Sequence, residues 1–361
     1  MKIGISCFPT FGGSGIIATE LAHLLAKKHE LHLVSYDKPV RLGEAVDFSF
    51  HKVELFSYPL FERVPCCYSM ALVSKLVEII KTYSLDIVHA HYAVPNATSA
   101  YLAKKICDDV VKVVTTLHGT DSYLVGRHPS YKAVTEFSIQ HSDALTAVSE
   151  YLKERTVAEF DISKEIRVIP NFVDPQRFRK LKKREEQKIV CHSSNFRLIK
   201  RVPDIVKAFE IISKEIECKL LFIGDGPERS QVEDMAKDLG ISENTEFLGN
   251  VRNVEEILGT SDLFLLPSED ESFGLAALEA MSCEVPVVAS NVGGLKELIS
   301  HGVDGYLIKV GDVEALAEYS LKILQDTELQ ERFGEKAREK VLEKYTPDKI
   351  VPIYEDLYKK A

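Results

Sequence analysis

Short apolar runs alternate with amphipathic windows of helical period along almost the whole chain, the pattern of parallel sheets covered by helices on both faces. In the first half the pattern predicts strands over 2–8, 31–36, 51–56, 86–91, 111–117, 143–148 and 166–169, with helices over 14–28, 68–83, 95–107, 130–142 and 149–159. The second half restarts with strands over 187–193, 218–223, 244–248, 262–267, 285–289 and 305–308, and helices over 203–216, 227–239, 253–260, 274–282, 294–300 and 312–325. Between the halves the polar, strongly basic stretch 171–186 reads as a linker. The expected division is a first domain over 1–170, a second over 171–345, and a final helix over 346–361 packing back on the first. A faint internal echo, Ser142-Asp143 through Ser149-Glu150 against Ser261-Asp262 through Ser268-Glu269, suits two domains of similar winding. In open α/β sheets ligands bind beyond the carboxyl ends of the strands, so the site is expected in a cleft between the two domains.

A chain of 361 residues can bury two cores of this kind. Its net charge is -10, and 18 of 45 basic and 19 of 55 acidic residues fall within 1–170, so the acid excess lies in the second half. Such a surface repels a phosphodiester backbone, which argues against a nucleic-acid partner. No apolar run approaches the ~20 residues of a membrane span. The N-terminus enters a strand at once rather than a signal peptide, so a cytoplasmic protein is expected. Seven cysteines, an odd number without a CxxC pair, suit neither a disulfide framework nor a zinc site. Cys66-Cys67 reads as two reduced thiols on a loop.

Candidate chemistry gathers where predicted strands end. Gly12-Gly13-Ser14-Gly15 opens a helix and offers free N–H groups to an anion. The spacing is not GxGxxG, and no acidic residue closes the second strand, which disfavours a dinucleotide dehydrogenase. Glu271 and Glu279 bracket Gly274 at a strand edge, where helical packing explains Leu275 and Leu278 but not two carboxylates. Eight residues at ~1.5 Å each separate them by ~12 Å if helical, too far for a glycosidase acid/base pair, so they fit ligand gripping better. Arg197, Lys200 and Arg201 follow another strand, and cations gathered there in an acidic protein suit a diphosphate. His118-Gly119-Thr120-Asp121 ends a very apolar strand and reads as a ligand contact. Gly224-Asp225-Gly226-Pro227-Glu228 turns a strand into a helix.

Taken together, Glu271-x7-Glu279 with Phe273-Gly274, the Arg197/Lys200 turn, the Gly224 turn and the early glycine loop resemble glycosyltransferase family 4 over essentially the whole chain. The resemblance implies an α/β architecture of the GT-B type: two Rossmann-like, doubly wound parallel-sheet domains facing a central cleft. Within the family, Gly12 to Glu20, His118 to Asp121, Phe137 to Asp143, Ala147 to Ser149 and Ser194 to Arg197 are most similar to members that move N-acetylglucosamine from UDP-GlcNAc to L-malate in bacillithiol biosynthesis. Carried over by motif, Glu279 would hold the ribose hydroxyls, and Arg197 and Lys200 the diphosphate, with help from Gly13 and Ser14. Glu271, Phe273 and Gly274 would hold the sugar hydroxyls, with Asn195 and Leu275 in the donor set and His118 touching the sugar from the first domain. The family spaces its Arg and Lys more widely than Arg197 and Lys200, so Lys200 and Arg201 both stand as the second cation.

The acceptor is expected to be a small dicarboxylate, bound by Ser14, Tyr92, Thr120 and Arg127, because two carboxylates entering an acidic protein need local donors. No DxD motif stands in a suitable place, so the implied reaction needs no metal or further cofactor and retains configuration by front-side attack. The rivals are a family-4 enzyme with a lipid or glycan acceptor, for which Lys104-Lys105 is a thin basic candidate, a UDP-sugar isomerase of the same architecture, and a non-enzymatic sensor. A homo-oligomer stays open.

Overall fold

The strand-length runs that the pattern picks out form parallel strands in the computed structural model, which describes residues 1–43, 47–56, 67–182 and 187–361, although the strand expected over 51–56 lies earlier, at Ser49–Lys52. Cys66, the side chain of Cys67 and linker residues 183–186 lie outside the described residues. The chain divides into two units, one of Met1–Pro170 with Asp348–Ala361 and one of Asn171–Pro347.

In the first unit β1 (Lys2–Ser6), β2 (Glu30–Ser35), β3 (Ser49–Lys52), β4 (Ile87–His91), β5 (Lys112–Leu117), β6 (Ala144–Ala147) and β7 (Arg167–Val168) form one parallel sheet in the order β3-β2-β1-β4-β5-β6-β7. Its helices are α1 (Gly13–Ala26), α2 (Cys67–Tyr83), α3 (Thr98–Ile106), α4 (Pro129–His141) and α5 (Glu150–Glu159). In the second unit β8 (Lys188–Ser193), β9 (Cys218–Ile223), β10 (Thr245–Gly249), β11 (Leu263–Leu266), β12 (Val287–Ser290) and β13 (Gly305–Ile308) pair in the order β10-β9-β8-β11-β12-β13. Its helices are α6 (Val202–Glu215), α7 (Arg229–Asp238), α8 (Val254–Leu258), α9 (Leu275–Ser282), α10 (Leu295–Leu298), α11 (Val313–Gln325) and α12 (Thr327–Lys344), and the final helix, α13 (Pro347–Lys360), returns the chain to the first unit. Each sheet winds outward from its first strand and then reverses, with the switch between β1 and β4 and between β8 and β11, the place where doubly wound sheets open a crevice for ligands.

Alternation along β4 sorts its side chains. Val88 and Ala90 join a core with Leu72, Leu76, Ile79 and Ile80 of α2, whereas Ile87, His89 and His91 face the other way. That second face carries α13, whose Tyr358 hydroxyl lies 2.8 Å from His89 Nδ1. Glu355 meets His29 at 3.1 Å and Asp356 meets Arg167 at 3.1 Å, so the helix is tied to its unit along its length. The second unit buries Ile205, Val206, Phe209 and Ile212 of α6 against Leu220, Phe222, Leu263 and Leu265.

Helix α12 falls between the expected helices over 312–325 and 346–361 and was not itself expected, although its signal is plain. Leu329, Phe333, Ala337 and Val341 make one buried stripe at spacing four, and Asp326 caps the helix by accepting the Leu329 N–H at 2.9 Å. Gly334 sits in that helix because a Cβ there would stand 2.3 Å from the Glu284 carbonyl oxygen. The helix expected over 95–107 also divides. Val94 is extended (φ -125°, ψ 130°) within a wide turn over Ala93–Ala97, and regular helix starts at Thr98.

The internal echo joins strands that are not counterparts, since β6 is the sixth strand of its winding and β11 the fourth. Its cause is a local clamp. Asp143 accepts the Val113 N–H at 2.7 Å and donates its own N–H to the Val113 carbonyl, and Asp262 does the same with Ile189. Asp86, ahead of β4, makes a third such clamp on Lys2. An aspartate one residue before a strand thus accepts a backbone N–H from the first or second residue of the neighbouring strand, Lys2 of β1, Val113 of β5 or Ile189 of β8.

Among the described residues no helix is long and apolar enough to cross a membrane.

Candidate active site

At the carboxyl edge of the first sheet, four of the predicted residues come together. Gly15 lets α1 start directly against the loop after β1, because a Cβ there would lie 2.5 Å from the Phe8 carbonyl oxygen. Gly13 and Ser14 therefore form the first turn of α1, which has neither a side-chain cap nor an acidic residue, so its dipole and N–H groups are open to an anion. The Ser14 hydroxyl reaches the Tyr92 hydroxyl at 2.6 Å, and the Tyr92 ring lies 5.3 Å from that of His118. Tyr92 holds a left-handed backbone (φ 87°), a strained state for a large side chain and one that recurs at functional sites. Thr120 opens the next turn, half-buried, and Arg127 is exposed beyond Gly126, with no hydrogen bond or ion pair to the described residues.

Asp121 holds this edge in shape. Its Oδ1 accepts the N–H groups of His118 (3.1 Å) and Gly119 (3.0 Å), while Oδ2 accepts that of Ala93 (2.8 Å). The ends of β4 and β5 are thereby joined. Sequence reasoning placed Asp121 in a motif without giving it this role. It also passed over His89 and His91, whose signal is two histidines at period two in an otherwise apolar strand. His91 Nδ1 lies 2.9 Å from His118 Nε2, and His89 bonds Thr116 at 2.7 Å as well as Tyr358.

Burial removes water from these rings and holds His118 and His89 down at about 3, with His91 well below its ordinary value. His192 in β8 is held at about 4. Burial pushes Asp121 up to about 6, against the opposing pull of its backbone N–H donors. An unfolded histidine titrates near 6.5, so as pH falls below that value the unfolded chain takes up protons that the folded rings refuse. Stability is then lost by up to ~1.4 kcal/mol per pH unit for each ring. Asp121 acts oppositely between about 4 and 6, where the folded carboxyl keeps a proton that the unfolded one releases. Four rings outweigh one carboxyl, so the melting temperature should drop between about pH 7 and about pH 5. Unchanged melting across that interval would contradict the buried neutral rings.

The second unit places its predicted residues at the corresponding edge. Gly224 (φ 112°) and Gly226 pack on the backbone of the neighbouring loop, where added Cβ atoms would stand 1.8 Å from the Ser194 and 2.0 Å from the Asn195 carbonyl oxygens. The Glu228 N–H closes the junction on the Phe196 carbonyl at 3.0 Å. Arg197 is thus presented on a fixed loop, exposed, with no ion pair among the described residues, and Asn195 is exposed beside it. Lys200 Nζ lies 2.5 Å from Glu271 Oε1, which also accepts from the Ser268 hydroxyl at 3.0 Å. Arg201, the other candidate cation, bonds Asp204 at 2.6 Å and Glu269 at 3.3 Å at the start of α6. The geometry therefore puts Lys200, not Arg201, on the Glu271 carboxylate.

Gly274 (φ 96°) precedes α9 and presses on Leu295 of α10. The Gly294 N–H donates to the Glu271 carbonyl at 2.8 Å, so the Glu271 loop is fixed from below. Phe273 is buried edge-on against Tyr345, which leaves its backbone rather than its ring for a ligand. Leu275 is half-buried in the first turn of α9, and the Glu279 carboxylate is buried in the second. Among the described residues no group of three or more His, Cys, Asp or Glu side chains is placed to hold a metal ion.

Comparison with known proteins bears on both edges. The family described as Glycosyltransferase Family 4 matches residues 11–177, and Glycosyl transferases group 1 matches residues 173–340. N-acetyl-alpha-D-glucosaminyl L-malate synthase of Bacillus anthracis is 44% identical over 99% of this chain and 96% of its own. Among solved structures, Anabaena HepE in complex with UDP and glucose superimposes with a TM-score of 0.83 at 18% identity, covering 100% of both chains. The sucrose-phosphate synthase of Thermosynechococcus elongatus does so with 0.82 at 20%, covering 100% of this chain and 98% of its own. These two likenesses concern the GT-B fold.

Proposed function

The chain belongs to glycosyltransferase family 4, and from that premise we propose that it transfers N-acetylglucosamine from UDP-GlcNAc to the hydroxyl of L-malate, the first step of bacillithiol biosynthesis, in the cytoplasm. The likeness to an N-acetyl-alpha-D-glucosaminyl L-malate synthase over nearly the whole of both chains carries the reading. The unopposed Arg197 beside the Lys200–Glu271 pair supports it, since this edge can meet a diphosphate and sugar hydroxyls together. In the reaction the bond from the anomeric carbon to UDP breaks and one to the malate oxygen forms on the same face, with retention. The hydroxyl proton leaves with the diphosphate. Arg197 and Lys200 stabilise the charge on departing UDP, so no metal is required. Glu279 holds the ribose, and the backbone at Phe273 and Gly274 orients the sugar with Glu271. Asn195 and Leu275 complete the donor set. Ser14, Tyr92, Thr120 and Arg127 take the two acceptor carboxylates.

Mass analysis of products from UDP-GlcNAc with malate, with glycerol and with no acceptor tests the proposal. GlcNAc-malate formed undiminished in excess EDTA is expected. Equal transfer to glycerol would defeat the dicarboxylate acceptor, an altered UDP-sugar without acceptor would favour an isomerase, and EDTA inhibition reversed by magnesium would refute metal independence. Arg127→Ala is expected to raise KM for malate while leaving UDP affinity unchanged, as a guanidinium suited to carboxylate would require. Normal malate kinetics in that variant would remove Arg127 from the site.

A further inference from the structure

We propose that His91 is a positioning residue that fixes the tautomer of His118, so that His118 presents an Nδ1–H to the sugar. The sugar as ligand rests on the glycosyl-transfer reading above; the tautomer does not.

His91 is fully buried on the face of β4 turned away from the α2 core. Its Nδ1 and His118 Nε2 are 2.9 Å apart, and two neutral rings share one proton across that contact. Its other nitrogen, Nε2, has no hydrogen-bond partner among the described residues. This asymmetry selects between the two ways of placing the proton. If His118 donates from Nε2, His91 must carry its own proton on Nε2, leaving a buried N–H with nothing to accept it. If His91 donates from Nδ1, its Nε2 is only an unfilled acceptor. Orphaned buried N–H groups are the rarer fault, so the proton belongs on His91 Nδ1. His118 then carries its proton on Nδ1, the ring nitrogen not engaged by His91.

The neighbours keep the arrangement in place. The His89 ring lies 4.4 Å from that of His91, tilted by 36°, but its nitrogens face Tyr358 and Thr116, so it neither supplies nor takes the shared proton. Asp121 holds the backbone on both sides of the His118 Cα, and the Tyr92 ring bounds the imidazole. Burial holds both rings neutral, His118 at about 3 and His91 lower than its ordinary value.

Long-range 1H–15N correlation spectra of 15N-histidine-labelled protein at neutral pH read the tautomer without turnover. His118 is expected to be protonated at Nδ1; protonation at Nε2 overturns the proposal. His91→Leu is expected to abolish the single tautomer and lower kcat/KM for UDP-GlcNAc about tenfold while UDP affinity stays the same. His91→Asn, whose amide N–H can reach the Nδ1 position, should restore most of the loss. A His91→Leu protein with the wild-type spectrum and kinetics overturns the role of His91, and if that variant fails to fold, the wild-type spectrum still decides. Nδ1 protonation in a protein that moves no sugar would sustain the tautomer and refute the transferase reading.

Discussion

Arg197→Ala is expected to lower turnover of UDP-GlcNAc by about two to three orders of magnitude, the ~2.7 to 4 kcal/mol that loss of one preorganised transition-state partner typically costs. Of the three cations on its turn, Lys200 is engaged by Glu271 and Arg201 by Asp204 and Glu269, whereas Arg197 faces no carboxylate among the described residues. Its charge is therefore available to a diphosphate. Because the side chain is exposed, its removal should change stability by no more than about 0.5 kcal/mol, so a large kinetic effect cannot come from unfolding. Steady-state kinetics beside a melting curve separates the two. Turnover within a few-fold of wild type would take Arg197 out of the reaction.

Glu279→Ala should act on the nucleotide itself. A carboxylate accepting ribose hydroxyls contributes about 1.5 to 3 kcal/mol per charged hydrogen bond, roughly ten- to hundredfold or more in Kd for UDP. Glu279 is buried in α9, so Glu279→Gln, which keeps the shape, is the companion variant that controls for packing. Calorimetry with UDP should show the loss in both variants, larger in the first. Affinity equal to wild type in a folded Glu279→Ala protein would end the ribose assignment.

The sheet strands were legible because a strand buried on both faces must be apolar throughout, and β9 and β13 were read to the residue, at 218–223 and 305–308. The wide turn over Ala93–Ala97 was not, since its shape depends on Asp121 gripping the Ala93 N–H from a distant loop, which no local window contains. The same limit applied to the second cation. The local sequence made Lys200 and Arg201 equivalent, and it does not show that Lys200 meets Glu271 while Arg201 meets Asp204 and Glu269. The echo around Asp143 and Asp262 was a real chemical repetition with a mistaken cause. It records how these sheets begin a strand, and Asp86, the counterpart of Asp262 by position, carries the clamp without the surrounding resemblance.

The first sheet is encoded almost wholly before Pro170, yet the face bearing His89 and Thr116 is covered by Tyr354 and Tyr358. A ribosome must translate the entire second unit before that cover exists. At ~5–20 residues per second the interval is roughly ten to forty seconds. Throughout it the nascent first unit has its strands but an unsealed polar face, while the second unit, continuous in sequence, can finish folding ahead of it. The order of maturation is thus reversed relative to the order of synthesis: the half made first is the last to be sealed.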